Sequence, residues 1–292
     1  MSRQDIFTLM KNKFDIYKEV NKIILLFSIN LIEYHDSYTV STNYTIEEFV
    51  DEMLFKSWKQ RGFYFNCDEI KQDLGIKFKY TKEDSFDDCI KLLEYYNNLI
   101  YLVVKKYNIY QQSDCDVKDD FYILMENMKK LLDYINHDIH VNEKEEKVLL
   151  IPKNPVATAV AEISSEETAL AILMYNHLSL KGDLEQKRNL LNSIYREYEP
   201  LFTSSLEGYN DFLNKTNALF NNLHIRHNNK TKKDNKNTII NLDEKELEKW
   251  YDELYQLMLF CVLIKDNLER KSNVDEFLKT IKGTKGKAEE LI

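Results

Sequence analysis

Arg226, His227, Asn228 and Asn229 stand in tandem where a strongly amphipathic stretch comes to its end. Before them, apolar residues recur at helical spacing: Tyr209, Phe212, Leu213, Leu219, Phe220 and Leu223. Carrying that stripe three and four residues further lands on Arg226 and His227. A helix that buries Leu and Phe then presents a guanidinium and an imidazole beside the same face. Burying such groups is costly unless they are paired or put to use. The chemistry they offer is coherent. A histidine transfers protons near neutral pH, and an arginine grips a phosphate through two parallel hydrogen bonds and stabilises charge developing on it. Asn228 can orient either group. This set suits metal-independent RNA cleavage, in which the 2'-hydroxyl attacks the adjacent phosphate. Lys230, Lys232 and Lys233, in the polar stretch that follows, supply positive charge to hold an RNA strand.

A second polar interruption lies upstream. One helical stripe reads Ala169, Leu173, then Asn176 and His177, then Leu180. His177 stands four residues beyond Leu173, where another leucine would be expected. Lys181, Gly182 and Asp183 follow as a tight turn bearing a cation and a carboxylate. Two helices each place a histidine at a core-facing position near one end. The simplest geometric account is that these ends meet, so that Asn176, His177, Lys181 and Asp183 support Arg226 and His227 in a shared polar pocket. Blander readings stand beside this one. A lone histidine on an apolar face is more often a satisfied core residue, an arginine at a helix end is more often a cap, and a lysine-rich loop is usually only solvated. His224 and His227, three apart, could share a metal with Asp183. Neither HExxH nor a cysteine pair accompanies them, so no metal is expected. GxGxxG and GxxxxGK[ST] are absent, which disfavours dinucleotide and P-loop sites, and no cofactor is expected.

The elements that must position these residues are helical. Only 6 Gly and 3 Pro occur in 292 residues, too few breaks for an all-β fold. The periodicity predicts one or two helices over 3–34. It then predicts a capping-box helix from Thr45 to about Lys59, a helix from Ser85 to Lys106 and another over 117–135. Ser164 with Glu167 opens a helix to about Leu178. Asp183 starts the next, which Glu199-Pro200 stops. Asp243 with Glu246 caps a last long helix whose buried side includes Trp250, Tyr251, Leu254, Met258 and Cys261. The charged run 142–147 reads as a linker. The β-branched runs on either side of Asn154-Pro155 read as a short β-hairpin or extended arm near 148–163. The expected organisation is a helical N-terminal region over 1–143, a helical bundle over 144–270 and a basic tail over 271–292.

A net charge of -9 does not suit a protein that coats nucleic acid non-specifically, although it leaves room for a local basic site. Cys67, Cys89, Cys115 and Cys261 lack CxxC spacing and read as buried reduced thiols. The longest apolar run, around 23–29, is too short to span a bilayer, so a cytoplasmic protein with no membrane partner is expected.

The segment Leu223-His224-Ile225-Arg226-His227-Asn228-Asn229 resembles the active-site region of the HEPN superfamily. Tyr175-Asn176-His177 with Leu180-Lys181-Gly182-Asp183 resembles the accompanying helix pair of its abortive-infection-type bacterial members. The resemblance covers roughly residues 145 to 270. The family pattern is Arg, four to six residues, then His; here His227 directly follows Arg226. The resemblance implies an all-α bundle from a bacterial phage-defence or toxin–antitoxin system and a metal-independent ribonuclease using Arg226 and His227. It also implies a homodimer in which two motifs face one cleft. The competing class is a non-catalytic helical interaction or sensor module that binds a protein partner, such as an antitoxin or a phage component.

Overall fold

The computed structural model describes residues 15–35, 41–106, 115–206, 208–223, 225 and 242–289, with side chains through 281. The chain is mainly helical, with small antiparallel sheets, and its contacts divide it into two units between Lys153 and Asn154.

In the first unit, α1 (Ile16–Phe27) leads to β1 (Ile32–His35) and β2 (Ser41–Tyr44). The helical stretch expected over 3–34, as one helix or two, therefore gives way to strand at Ile32. Next comes α2 (Ile46–Phe49), where Thr45 and Glu48 form the expected reciprocal capping box. It continues as a π turn over Val50–Leu54 and two 3-10 turns to Arg61. Then follow α3 (Cys67–Leu74), α4 (Phe86–Lys106), β3 (Cys115–Val117), α5 (Asp119–Tyr134), β4 (His137–Asn142) and β5 (Lys147–Pro152).

Helix α4 starts where expected, because Ser85 accepts the Asp88 N–H at 3.1 Å. It is buried along most of its length, as suits a helix packed by α1, α2 and β5. The three-stranded sheet runs in the order β2-β1-β3, with Ile32 opposite both Tyr44 and Val117. None of its strands announces itself in the sequence, since each has only three or four residues.

The hairpin is displaced from its expected place. Strand β5 pairs with β4, His137 facing Pro152 and Asn142 facing Lys147, so the charged run 142–147 is the hairpin's turn. Asn142 Oδ1 accepts the Glu145 N–H at 3.1 Å there, and Glu146 takes the left-handed conformation at φ 53°. The expected return strand over 156–163 is instead α6 (Pro155–Glu162). Asn154 caps it by accepting from Val156 and Ala157, and Pro155 occupies the first turn, where its missing N–H costs nothing. Two residues that read as a turn are a helix start.

Every described element of the second unit is helical: α6, α7 (Glu166–Met174), a 3-10 turn (Leu178–Leu180), α8 (Leu184–Thr203), α9 (Asn210–Asn222) and α10 (Glu244–Glu289). Three sequence expectations shift here. The cap of α7 is Ser165 rather than Ser164, whose hydroxyl instead bonds Val160 and Tyr198. Helix α8 runs through Pro200. An interior proline costs about 3 kcal/mol, but the continuation buries Leu201 and Phe202, each worth about 1.5–3 kcal/mol. Phe202 also stacks on Tyr195 at 5.2 Å. Trp250, expected inside, is 43% exposed, while Tyr251, Leu254, Tyr255, Met258 and Cys261 of α10 line the core. All four cysteines are buried and reduced. No described helix is long and apolar enough to cross a membrane.

Candidate functional site

The stripe that leads toward Arg226 begins as expected, with Leu213 and Phe220 of α9 buried in the second core. The helix then closes at Asn222 and does not carry the stripe on to Arg226. Asn221 and Asn222 are poor helix formers whose side chains compete for backbone partners. The Leu223 N–H still reaches the Leu219 carbonyl, at 2.8 Å, and the Ile225 N–H reaches back to the Phe220 carbonyl at 3.1 Å. That six-to-one bond is one half of a Schellman closure, and its usual apolar contact is supplied by Phe220 and Ile225, which share the core. Ile225 is only 3% exposed. The chain is thus anchored one residue before Arg226. Arg226, His227, Asn228, Lys230, Lys232 and Lys233 lie outside the described residues, as does His224.

The second group is described. Tyr175 follows α7 as its C-cap, Asn176 and His177 succeed it, and the 3-10 turn and Asp183 lead into α8. His177 is buried, and its Nδ1 accepts the Ser179 N–H at 3.2 Å and lies 2.8 Å from the Ser179 hydroxyl, so the ring caps the turn it precedes. The Asn176 amide donates to the Tyr255 hydroxyl at 3.2 Å, which in turn donates to the Ile172 carbonyl at 2.8 Å. Asp183 accepts the Gln186 N–H at 3.0 Å and caps α8. Lys181 is exposed on the turn and adds its charge to the field at Glu248.

Beside them lies a cluster that sequence reasoning missed. Lys187, in the second turn of α8, is 6% exposed. Its ammonium sits 2.7 Å from Asp252 and 2.9 Å from Glu248, both on α10, and 5.4 Å from the centre of the Tyr175 ring. The Tyr175 hydroxyl donates to the same Asp252 oxygen at 3.1 Å, and its ring stacks on Tyr255 at 4.2 Å. Glu248 also accepts the Gly182 N–H at 2.7 Å. That backbone donor, together with Lys187 and Lys181, holds the Glu248 carboxyl below its ordinary range. Burial, reinforced by Asp252, pushes the Tyr175 phenol well above its usual value.

A signal for this cluster exists in the sequence. Lys187 occupies the buried stripe that continues at Leu191, Ile194, Tyr195 and Tyr198, and Glu248 and Asp252 stand four apart on one helix face. The Tyr175 phenol and the Lys187 ammonium are both committed to Asp252, and the phenol is held in its protonated form, so the arrangement offers no activated nucleophile. Its chemistry is that of a clamp: it fastens the end of α7, the Gly182 turn and α8 to α10. Among the described residues no three His, Cys, Asp or Glu side chains converge as a metal site requires.

No family model, no curated protein and no solved structure matches the chain.

Proposed function

We propose that the second unit is a HEPN-like module of a bacterial defence or toxin system that cleaves RNA without a metal. Arg226 binds the scissile phosphate and His227 transfers protons. The 2'-oxygen attacks phosphorus as its proton leaves to a base, and the bond to the 5'-oxygen breaks as that oxygen takes up a proton. The products are a 2',3'-cyclic phosphate and a free 5'-hydroxyl. In a homodimer the partner subunit's copy of the motif serves the second proton transfer. The observation that carries this reading is the anchoring of Leu223 and Ile225 in a helical core directly before Arg226. An anchored residue next to a reactive group limits the positions that group can take, which is what proximity catalysis needs.

A second reading is a non-catalytic module that binds a protein partner. It is favoured by the employment of His177 and Asp183 as caps. One experiment separates the two. Purified protein is incubated with tRNA or messenger RNA in EDTA, and products are resolved on a gel. Cleavage that disappears in the Arg226→Ala, His227→Ala double variant supports the nuclease. RNA left intact by folded wild-type protein sinks it in favour of the partner-binding reading.

A further inference from the structure

The first unit holds a cleft of about 470 Å³ between α1, α3 and the loop that follows α3, a volume within the range of small-molecule sites. Two of its walls are aromatic. Deep in the cleft, the Phe27 and Tyr96 rings stack with centroids 3.6 Å apart and planes 6° from parallel, with Ile24 beside them. At the mouth stands Phe78, 87% exposed. Its ring is thus open to a flat partner entering the cleft.

The loop here is tied down at several points. The Ile76 N–H bonds the Lys71 carbonyl at 2.8 Å. Tyr80 is buried, its backbone exchanges two hydrogen bonds with the Asn21 side chain, and its hydroxyl accepts the Lys77 N–H at 3.2 Å. Lys77 is ion-paired with Asp84. Phe78 is therefore presented by a pinned loop.

One end of the cleft is polar. The Lys71 ammonium lies 2.7 Å from Glu47 and 2.9 Å from Asp68, and 5.8 Å from the centre of the Phe78 ring. An ammonium carries three donors, and two carboxylates engage two of them. Gln72 adds an amide that can donate and accept. Lys77, which also lines the cleft, is neutralised by Asp84, so Glu47 and Asp68 against the Lys71 ammonium leave this end with a net negative charge, which disfavours phosphates and carboxylates. A flat, uncharged ring with donors and acceptors along one edge fits both the walls and the polar end.

We propose that the cleft binds a nucleoside through its base. The base stacks on Phe78, and its hydrogen-bonding edge meets Lys71, Asp68 and Gln72, as stacking and edge recognition combine in known base pockets. This site is separate from the Arg226 motif and does not depend on it.

The test is a set of titrations of the full chain with adenosine and with uridine, followed by calorimetry and saturation-transfer NMR, with phenylalanine as comparator. Saturable binding of either nucleoside is expected. Phe78→Ala, which removes an exposed ring, should weaken it at least about fivefold with an unchanged circular dichroism spectrum. Asp68→Ala should weaken it as well. The site is overturned by the absence of a saturable signal from both nucleosides at millimolar concentration, by equal affinity in Phe78→Ala, or by tighter binding of phenylalanine.

Discussion

The Lys187 ammonium and the Asp252 carboxylate meet at 2.7 Å, and the Tyr175 hydroxyl donates to the same carboxylate oxygen. The ammonium is buried whereas the Asp252 side chain is half exposed. The ammonium has a second counter-charge in Glu248, so loss of Asp252 still leaves it paired, whereas loss of Lys187 removes the cation that pairs both carboxylates.

Lys187→Met should accordingly destabilise the second unit by about 1–3 kcal/mol, below the loss for a fully buried pair because water still reaches the carboxylates. Asp252→Asn should cost less, since Glu248 remains to pair the ammonium. Urea unfolding of the two variants measures both. An Asp252→Asn loss larger than that of Lys187→Met would reverse this ranking.

The Glu248 carboxyl is held below its ordinary value of 4.5, first by the Gly182 N–H and then by Lys187. A carboxyl whose folded pKa is depressed contributes stability that is fully present above its unfolded value and is lost as pH falls through the folded one. The stability gap between wild type and Glu248→Gln should thus be widest near neutral pH and should shrink below about pH 4.5. Thermal melts across about pH 3 to 7, the range that spans the ordinary glutamate titration, read the gap. A gap that widens on acidification contradicts the assignment.

Ile225 ties the chain to the core immediately before Arg226. Ile225→Ala should cost about 2–5 kcal/mol, and Ile225→Val about 0.5–1.5 kcal/mol. If the Arg226 motif cleaves RNA, Ile225→Val should retain cleavage. Ile225→Ala should lose more activity than its folded fraction explains, because the anchor of the motif is loosened. Activity that merely tracks the folded fraction would show that the anchor serves stability alone.

In the first unit, Asn98 on α4 exchanges two hydrogen bonds with the backbone of Val148, each at 2.8 Å. Asn98→Leu keeps the bulk but leaves a buried N–H and a buried C=O without their partner. A loss of about 2–4 kcal/mol is expected, on the order of 1–3 kcal/mol for each orphaned group. Hydrogen exchange at Val148 should quicken in parallel. Protection unchanged from wild type would mean that β5 does not rely on Asn98.

Much of the helical plan is legible because its signals are local. Thr45 and Glu48, Ser85 and Asp88, and Asp243 and Glu246 sit three residues apart, and each pair marks a helix start. The misreadings have equally particular causes. Asn154-Pro155 serves a turn and a helix N-terminus equally well, so its role is settled by where Val148–Ile151 finds its partner strand, which is upstream at β4. The strands β1, β2 and β3 are too short to carry an alternating pattern, and they exist because each lies beside another. Trp250 shares its helix with buried neighbours yet faces water, because the core contacts of α10 select one face.

The amino-acid sequence by itself determined the helical class, the helix starts at Thr45, Ser85 and Asp243 and the polar tandem at Arg226, because caps and periodicity act within a turn or two of chain. The tertiary structure decided the anchoring of Ile225 in the core, the passage of α8 through Pro200 to bury Leu201 and Phe202, and the pairing of Lys187 with a carboxylate 65 residues away. Burial and charge pairing depend on groups distant in sequence, and only packing brings them within reach of one another.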